Sequence, residues 1–156
     1  MHMVILECIN IFFSGILAGL EIAAHYGFHE PALALDKKSQ IILRQGIIRK
    51  LRWLVPAFFV PTALTGIVLL FIKGMTAGFL FRLIAVAAII VWIFVRIIAT
   101  VSTNSATLEW NPNEPPQNWK EQVDHAERFH SIGTGASIVI FICFLIALIL
   151  QVHALV

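Results

Sequence analysis

Apolar residues in this chain gather in four long runs, Met3 to Phe28, Trp53 to Ile72, Met75 to Thr103 and Phe129 to Val156, and polar residues collect between them. A helix rises about 1.5 Å per residue, so about 20 mostly apolar residues cross the hydrocarbon core of a bilayer. Each run is long enough. The pattern predicts an all-α integral membrane four-helix bundle, a single transmembrane domain over residues 1–156 with spans at about 3–28, 53–72, 75–103 and 129–156. Lys73-Gly74 reads as a tight turn between the second and third spans. The first run is not a signal peptide, because no basic region precedes it and it carries Glu7, Asn10, Ser14, Glu21 and His25.

The two longer connections carry patterns of their own. Ile41, Leu43, Ile47, Ile48, Leu51 and Leu54 recur near helical spacing among basic residues. This reads as an amphipathic helix on the inner membrane surface over about 37–52, or as a plain extension of the second span. Between the third and fourth spans, Pro112, Pro115 and Pro116 lie between Trp110 and Trp119. Proline predicts a compact, non-helical excursion over 104–120, with the indoles at the water–lipid boundary.

Composition agrees with this pattern: 59% of residues are hydrophobic and 13% charged, against about a quarter charged in a soluble domain. A net charge of +2 is too small to imply nucleic acid, and the expected partners are the lipid bilayer and a lipophilic small molecule. Cys8 and Cys143 lie in apolar runs and read as buried hydrophobes rather than a disulfide or a thiolate metal site. Six of the eleven Lys and Arg residues, Lys37, Lys38, Arg44, Arg49, Lys50 and Arg52, lie between spans one and two, and Lys120 and Arg128 lie between or beside spans three and four. The positive-inside rule makes both connections cytoplasmic and leaves both termini outside. Short loops and the lack of a targeting extension favour a bacterial inner membrane. Small-residue faces at Gly15 and Gly19, and at Gly133 and Ser137, serve close packing inside one bundle or in a homo-oligomer.

A charge at the bilayer centre costs about 2.5–3.5 kcal/mol on insertion scales, so the polar residues inside the spans are the most informative in the chain. At about 100° per residue, Glu7, Asn10, Ser14, Glu21 and His25 fall within about 60° of arc on the first helix. Arg82, Arg96, Thr100 and Asn104 fall within about 80° on the third. Glu127, His130, Ser131 and Thr134 share a face at the start of the fourth. Three helices thus bring polar groups to one level, and Arg52 with Trp53 enters the second span there. Glu7 and Arg82 lie near the opposite ends of their spans and are expected to pair.

Two chemistries fit the first cluster. Glu127-x-x-His130 and Glu21-x-x-x-His25 each place a carboxylate and an imidazole on one helix face, so Glu21, His25, Glu127 and His130 are candidate ligands for a transition metal such as iron or copper. Only one Glu-x-x-His pair is present, and Arg96 and Arg128 oppose a cation. Haem held by His25 and His130 is a further option. The metal-free alternative has Arg96 and Asn104 bind an anionic oxygen while His25 or His130, oriented by Glu21 or Glu127, moves a proton. A third reading makes the cluster interhelical glue in a non-enzymatic subunit or a lipid-binding protein. Pro56 and Pro61 are expected to kink the second span and open room for a ligand.

The stretch Val101-Ser102-Thr103-Asn104, with Leu108, Trp110-Asn111-Pro112, Pro115-Pro116, Trp119 and Glu127-Arg128-Phe129-His130, resembles the small four-helix membrane proteins grouped, as a domain of unknown function, with the fungal anthrone oxygenases. Gly19-Leu20-Glu21 through His25 to Pro31, and Arg49-Lys50-Leu51-Arg52 to Pro56, look like bacterial members. The resemblance implies an oxygenase-like membrane protein in which Asn104, Trp119, Arg128 and His130 fall on motif positions, with Arg128, Trp119 and Arg52 as substrate-binding residues. Fungal members are linked to oxidation of an anthrone to an anthraquinone. The chain departs from the family pattern just before Arg128, where His125-Ala126 replaces a basic residue and Trp.

Overall fold

The computed structural model describes residues 2–154, and among these it is built of helices. The last two residues of the expected fourth span, Leu155 and Val156, lie outside the described residues. Helix α1 (His2–Ile22) leads through a π-helical turn, Ala23–Gly27, to the short α2 (His29–Leu33). Helix α3 (Lys37–Lys73) is followed by α4 (Phe79–Val95), a second π-helical turn (Arg96–Thr100), α5 (Val101–Glu109) and α6 (Trp119–His153). Four helical paths are long and apolar enough to cross a membrane, Met3–Leu33, Lys37–Lys73, Phe79–Glu109 and Trp119–His153. They form a ring in which α1 packs on α3 and α6, and α4 packs on α6 and α3.

The segment expected either as a surface helix or as an extension of the second span is continuous with it. Helix α3 runs unbroken for 37 residues, about 55 Å at 1.5 Å per residue, nearly twice the hydrocarbon thickness. Asp36 caps its start, accepting from the Lys38 and Ser39 backbone N–H groups at 3.0 and 3.1 Å and from Ser39 Oγ at 2.6 Å. These bonds, the Ser39 side chain's first, hold the Asp36 carboxyl below its ordinary pKa. Pro56 and Pro61 sit inside α3 without ending it. The excursion expected over 104–120 is shorter: residues 104–109 remain helical in α5 and Trp119 already begins α6. Gln45 on α3 ties down the end of α5 by donating to the Thr107 and Trp110 carbonyls at 2.9 Å each, the Thr107 carbonyl also accepting from the Trp110 N–H at 3.3 Å.

Inward-facing residues form one apolar core, Leu17 of α1, Ala85, Ile89 and Trp92 of α4, and Ala136, Ile140, Cys143 and Phe144 of α6. Outward positions are apolar as well, with Phe12, Leu64, Phe71 and Phe94 more than 60% exposed, which is a surface suited to lipid. Cys8 belongs to that exposed surface rather than to the core, and Cys143 is buried. The small residues mostly serve packing within the bundle: a Cβ at Gly15 would meet Phe141 at 3.2 Å and one at Gly66 would meet Phe144 Cζ at 2.5 Å, while Gly19 faces open space. The α3–α4 turn spreads over 74–78 instead of closing at Lys73-Gly74. Both its glycines take positive φ, +54° at Gly74 and +82° at Gly78.

Candidate functional site

At the end of the bundle that carries most of the basic residues, charged and imidazole groups from all four paths meet. Glu21 is 1% exposed; its Oε2 accepts from Arg96 Nη2 and lies 3.0 Å from His130 Nε2. Glu127 Oε1 accepts from Arg44 Nη1 at 2.7 Å. Its Oε2 faces three imidazole Nδ1 atoms, His25 at 3.5 Å, His130 at 3.7 Å and His29 at 4.0 Å. The Arg96 guanidinium also lies 5.0 Å from the centre of the Trp92 ring, a cation–π contact. That indole stacks on Phe59 at 4.1 Å. Two carboxylates are thus matched by two guanidinium groups, the arrangement that makes charge tolerable away from water.

Both π-helical turns fall where the first and third paths reach this cluster, and they contain His25 and Arg96. A π turn adds a residue to the helical repeat and so re-aims the side chains beyond it. Glu21 and His25, expected to act together on one face, serve different partners: Glu21 meets Arg96 and His130, whereas His25 meets Glu127.

A cavity of about 520 Å³ opens beside the cluster. Leu20, Phe28, Ile48, Leu51, Val55, Pro56 and Leu108 give it apolar walls, and Glu21, Arg44, Arg96, Thr100, Asn104, Glu127 and His130 reach it as polar groups. Around it, Glu21 Oε1, Trp92 Nε1 and Thr100 Oγ1 are buried without a hydrogen-bond partner among the described residues. Buried polar atoms are nearly always bonded, so this acceptor and these two donors are groups beside the apolar chamber that the described residues leave unsatisfied.

The structure brings together Glu21, His25, Arg96, Glu127 and His130. It places Asn104, Trp119 and Arg52 on the cavity wall. Arg128 is exposed and is not among the cavity's lining residues; one residue past Glu127, it is rotated about 100° away. Arg44, expected on the membrane surface, and His29, a residue the polar faces of the spans did not single out, both reach Glu127. For Arg44 a signal existed: Ile41, Ile48 and Leu51 define an apolar stripe at helical spacing, and Arg44 falls within it. His29 had no such signal, since it lies beyond a break in the first helix. At the opposite end, Glu7 pairs with Lys73 at 3.6 Å. Gln151 stands between it and Arg82, donating to Glu7 at 3.2 Å and accepting from Arg82 at 3.5 Å. The expected direct Glu7–Arg82 pair is therefore mediated by an amide. No protein-family model, no curated protein and no solved structure matches this chain.

Proposed function

We propose that this protein is a membrane oxidoreductase of the anthrone oxygenase-like kind, acting on a lipophilic, weakly acidic substrate in the 520 Å³ cavity. The observation that carries the reading is the apolar chamber with Glu21, Arg96, Thr100, Asn104 and His130 on its wall, beside which Glu21 Oε1, Trp92 Nε1 and Thr100 Oγ1 have no partner among the described residues. A flat phenol or enolisable ketone has the matching features, an apolar body, an oxygen that gains charge when a proton leaves, and the proton itself. The substrate oxygen is placed toward Thr100, Asn104 and Arg96, and the proton toward Glu21, whose other oxygen is held by Arg96 and His130. Donors fixed in a site with little water stabilise such an anion far better than the same groups in water.

Dioxygen then supplies the oxidant, as the resemblance implies for anthrones: a methylene loses two hydrogens and gains one oxygen atom, and the second oxygen atom leaves as water. The basic end of the bundle is read as cytoplasmic, with the substrate arriving from the inner leaflet. A protein that binds the same molecule without reaction is the second reading, favoured by the two arginine–carboxylate pairs, which also lock helices together. Oxygen uptake by purified protein in lipid nanodiscs, supplied with an anthrone, separates the two. Uptake above the uncatalysed rate, lost in Glu21→Gln, supports the enzyme; quenching of tryptophan fluorescence without uptake supports the binding protein. No quenching and no uptake sinks both.

A further inference from the structure

We propose that His25, Glu127 and His130 form a site for a divalent transition-metal ion in the wall of the cavity. One donor atom from each of the three lies within 4.8 Å of the others. In a four-coordinate site with bonds of about 2.0–2.1 Å, neighbouring ligand atoms stand about 3.4 Å apart. Glu127 Oε2 lies 3.5 Å from His25 Nδ1 and 3.7 Å from His130 Nδ1. Those separations exceed an ordinary N–H···O bond of about 2.7–3.2 Å and lie within a few tenths of an ångström of the edge of a coordination tetrahedron.

Hydrogen bonding points the same way. His130 Nε2 faces Glu21 Oε2 at 3.0 Å, and a carboxylate oxygen accepts, so Nε2 carries hydrogen. In the neutral ring this leaves a lone pair on Nδ1 directed toward the Glu127 carboxylate. His25 Nδ1, on the other side of the same oxygen, is buried without a hydrogen bond among the described residues. With both rings neutral and their hydrogens on Nε2, three electron-rich atoms converge, and a cation among them turns repulsion into ligation. Glu21 behind His130 then completes the carboxylate–histidine–metal relay found around metal ligands. Arg44 anchors Glu127 Oε1 at 2.7 Å and leaves Oε2 free to ligate.

Two imidazoles and one carboxylate with open positions make the donor set of non-haem Fe²⁺ oxygenases, and they also suit Mn²⁺ and Zn²⁺. Glu127 and His130 line the cavity, so an ion held by them would border any molecule bound there. With Glu21 and Glu127 already balanced by Arg96 and Arg44, the ion brings uncompensated positive charge, which draws an anionic substrate oxygen. This inference rests on the reading of the cavity as a reaction site for what the ion does there, not for whether it binds.

The test uses the full chain in nanodiscs, stripped with a chelator and equilibrated without oxygen against Fe²⁺, Mn²⁺ or Zn²⁺ in turn. Elemental analysis after desalting is expected to give about one ion per chain for at least one of the three, and Co²⁺ used as a spectroscopic probe should show nitrogen ligation. Affinity is expected to fall at least about 10-fold in His25→Ala and in Glu127→Gln. It should be unchanged in His125→Ala, whose ring is exposed on the other face of α6. Wild-type protein that retains no ion with all three metals overturns the proposal whatever the variants do, and so does undiminished binding in a folded His25→Ala. Tryptophan quenching by an anthrone in the stripped wild type tests the cavity separately. Quenching without ion binding removes the metal site and keeps the substrate reading; ion binding without quenching does the reverse.

Discussion

The two ends of the bundle both bury charge, and they do so to different ends. Near the α3–α4 turn, Glu7, Lys73, Gln151 and Arg82 form a chain, and Asn10 donates to the Thr62 carbonyl and to Thr65 Oγ1 at 3.0 and 2.7 Å. The crevice beside them is about 10 Å³, at the lower limit for a single water. At the other end the same kinds of residue surround a chamber some fifty times larger, and imidazoles join them. Both ends keep buried polar atoms without a partner among the described residues, Asn10 Oδ1 and Arg82 Nε at one and Glu21 Oε1, Trp92 Nε1 and Thr100 Oγ1 at the other, so what sets the second end apart is the open space it borders. Burial of charge is common to both ends; free volume and imidazole partners are what distinguish them.

The sharpest way to break that contrast is to remove one carboxylate from each end. Glu21→Gln is expected to lower the oxidation rate by at least about 100-fold, the scale of losing a general base, while Glu7→Gln leaves it within about 2-fold. Oxygen uptake in nanodiscs reads both, and equal losses would erase the distinction. Stability should show the opposite bias. Gly78→Ala, at φ +82° with a Cβ only 2.7 Å from the Ala147 carbonyl, and Gly66→Ala, driven into the buried Phe144 ring at 2.5 Å, should each cost about 1–3 kcal/mol. The check is a lowered thermal midpoint, with activity per folded molecule retained.

A smaller effect is expected from Trp92→Phe. The ring can still stack on Phe59, but the N–H without a partner is lost. Substrate affinity should fall about 5-fold, the worth of roughly 1 kcal/mol for one neutral hydrogen bond, as measured by a change in KM with kcat nearly constant. An unchanged KM would take Trp92 out of the binding site. Smallest of all is the α3 cap. Asp36 titrates below its ordinary value because Ser39 and nearby backbone N–H groups bond its carboxylate. Its stabilisation is therefore fully present above the unfolded pKa and fades as pH falls through the lower folded one. Asp36→Ala should speed hydrogen exchange at Lys38 and Ser39 above that window and make no difference below it.

How much of the site could be read in advance varies by helix. The inward face of α1 was legible throughout: Glu7, Asn10, Ser14 and Glu21 share one arc, and all four are buried. The periodicity worked there because α1 stays regular to Ile22. It became less informative at His25 and beyond Arg96, where the π turns change the angle per residue. Arg128 entered through resemblance rather than spacing, and spacing places it on the exposed face.

The amino-acid order alone determined four membrane helices and the level at which polar groups gather, because lipid gives an unpaired backbone or charged group no other place to go. Which groups meet was decided only by the tertiary structure. The choice of Arg44 for Glu127, of Lys73 and Gln151 for Glu7, and of separate partners for Glu21 and His25 depends on the register and rotation of one helix against another. Register and rotation arise from side-chain packing between helices far apart in the chain, which local periodicity does not encode.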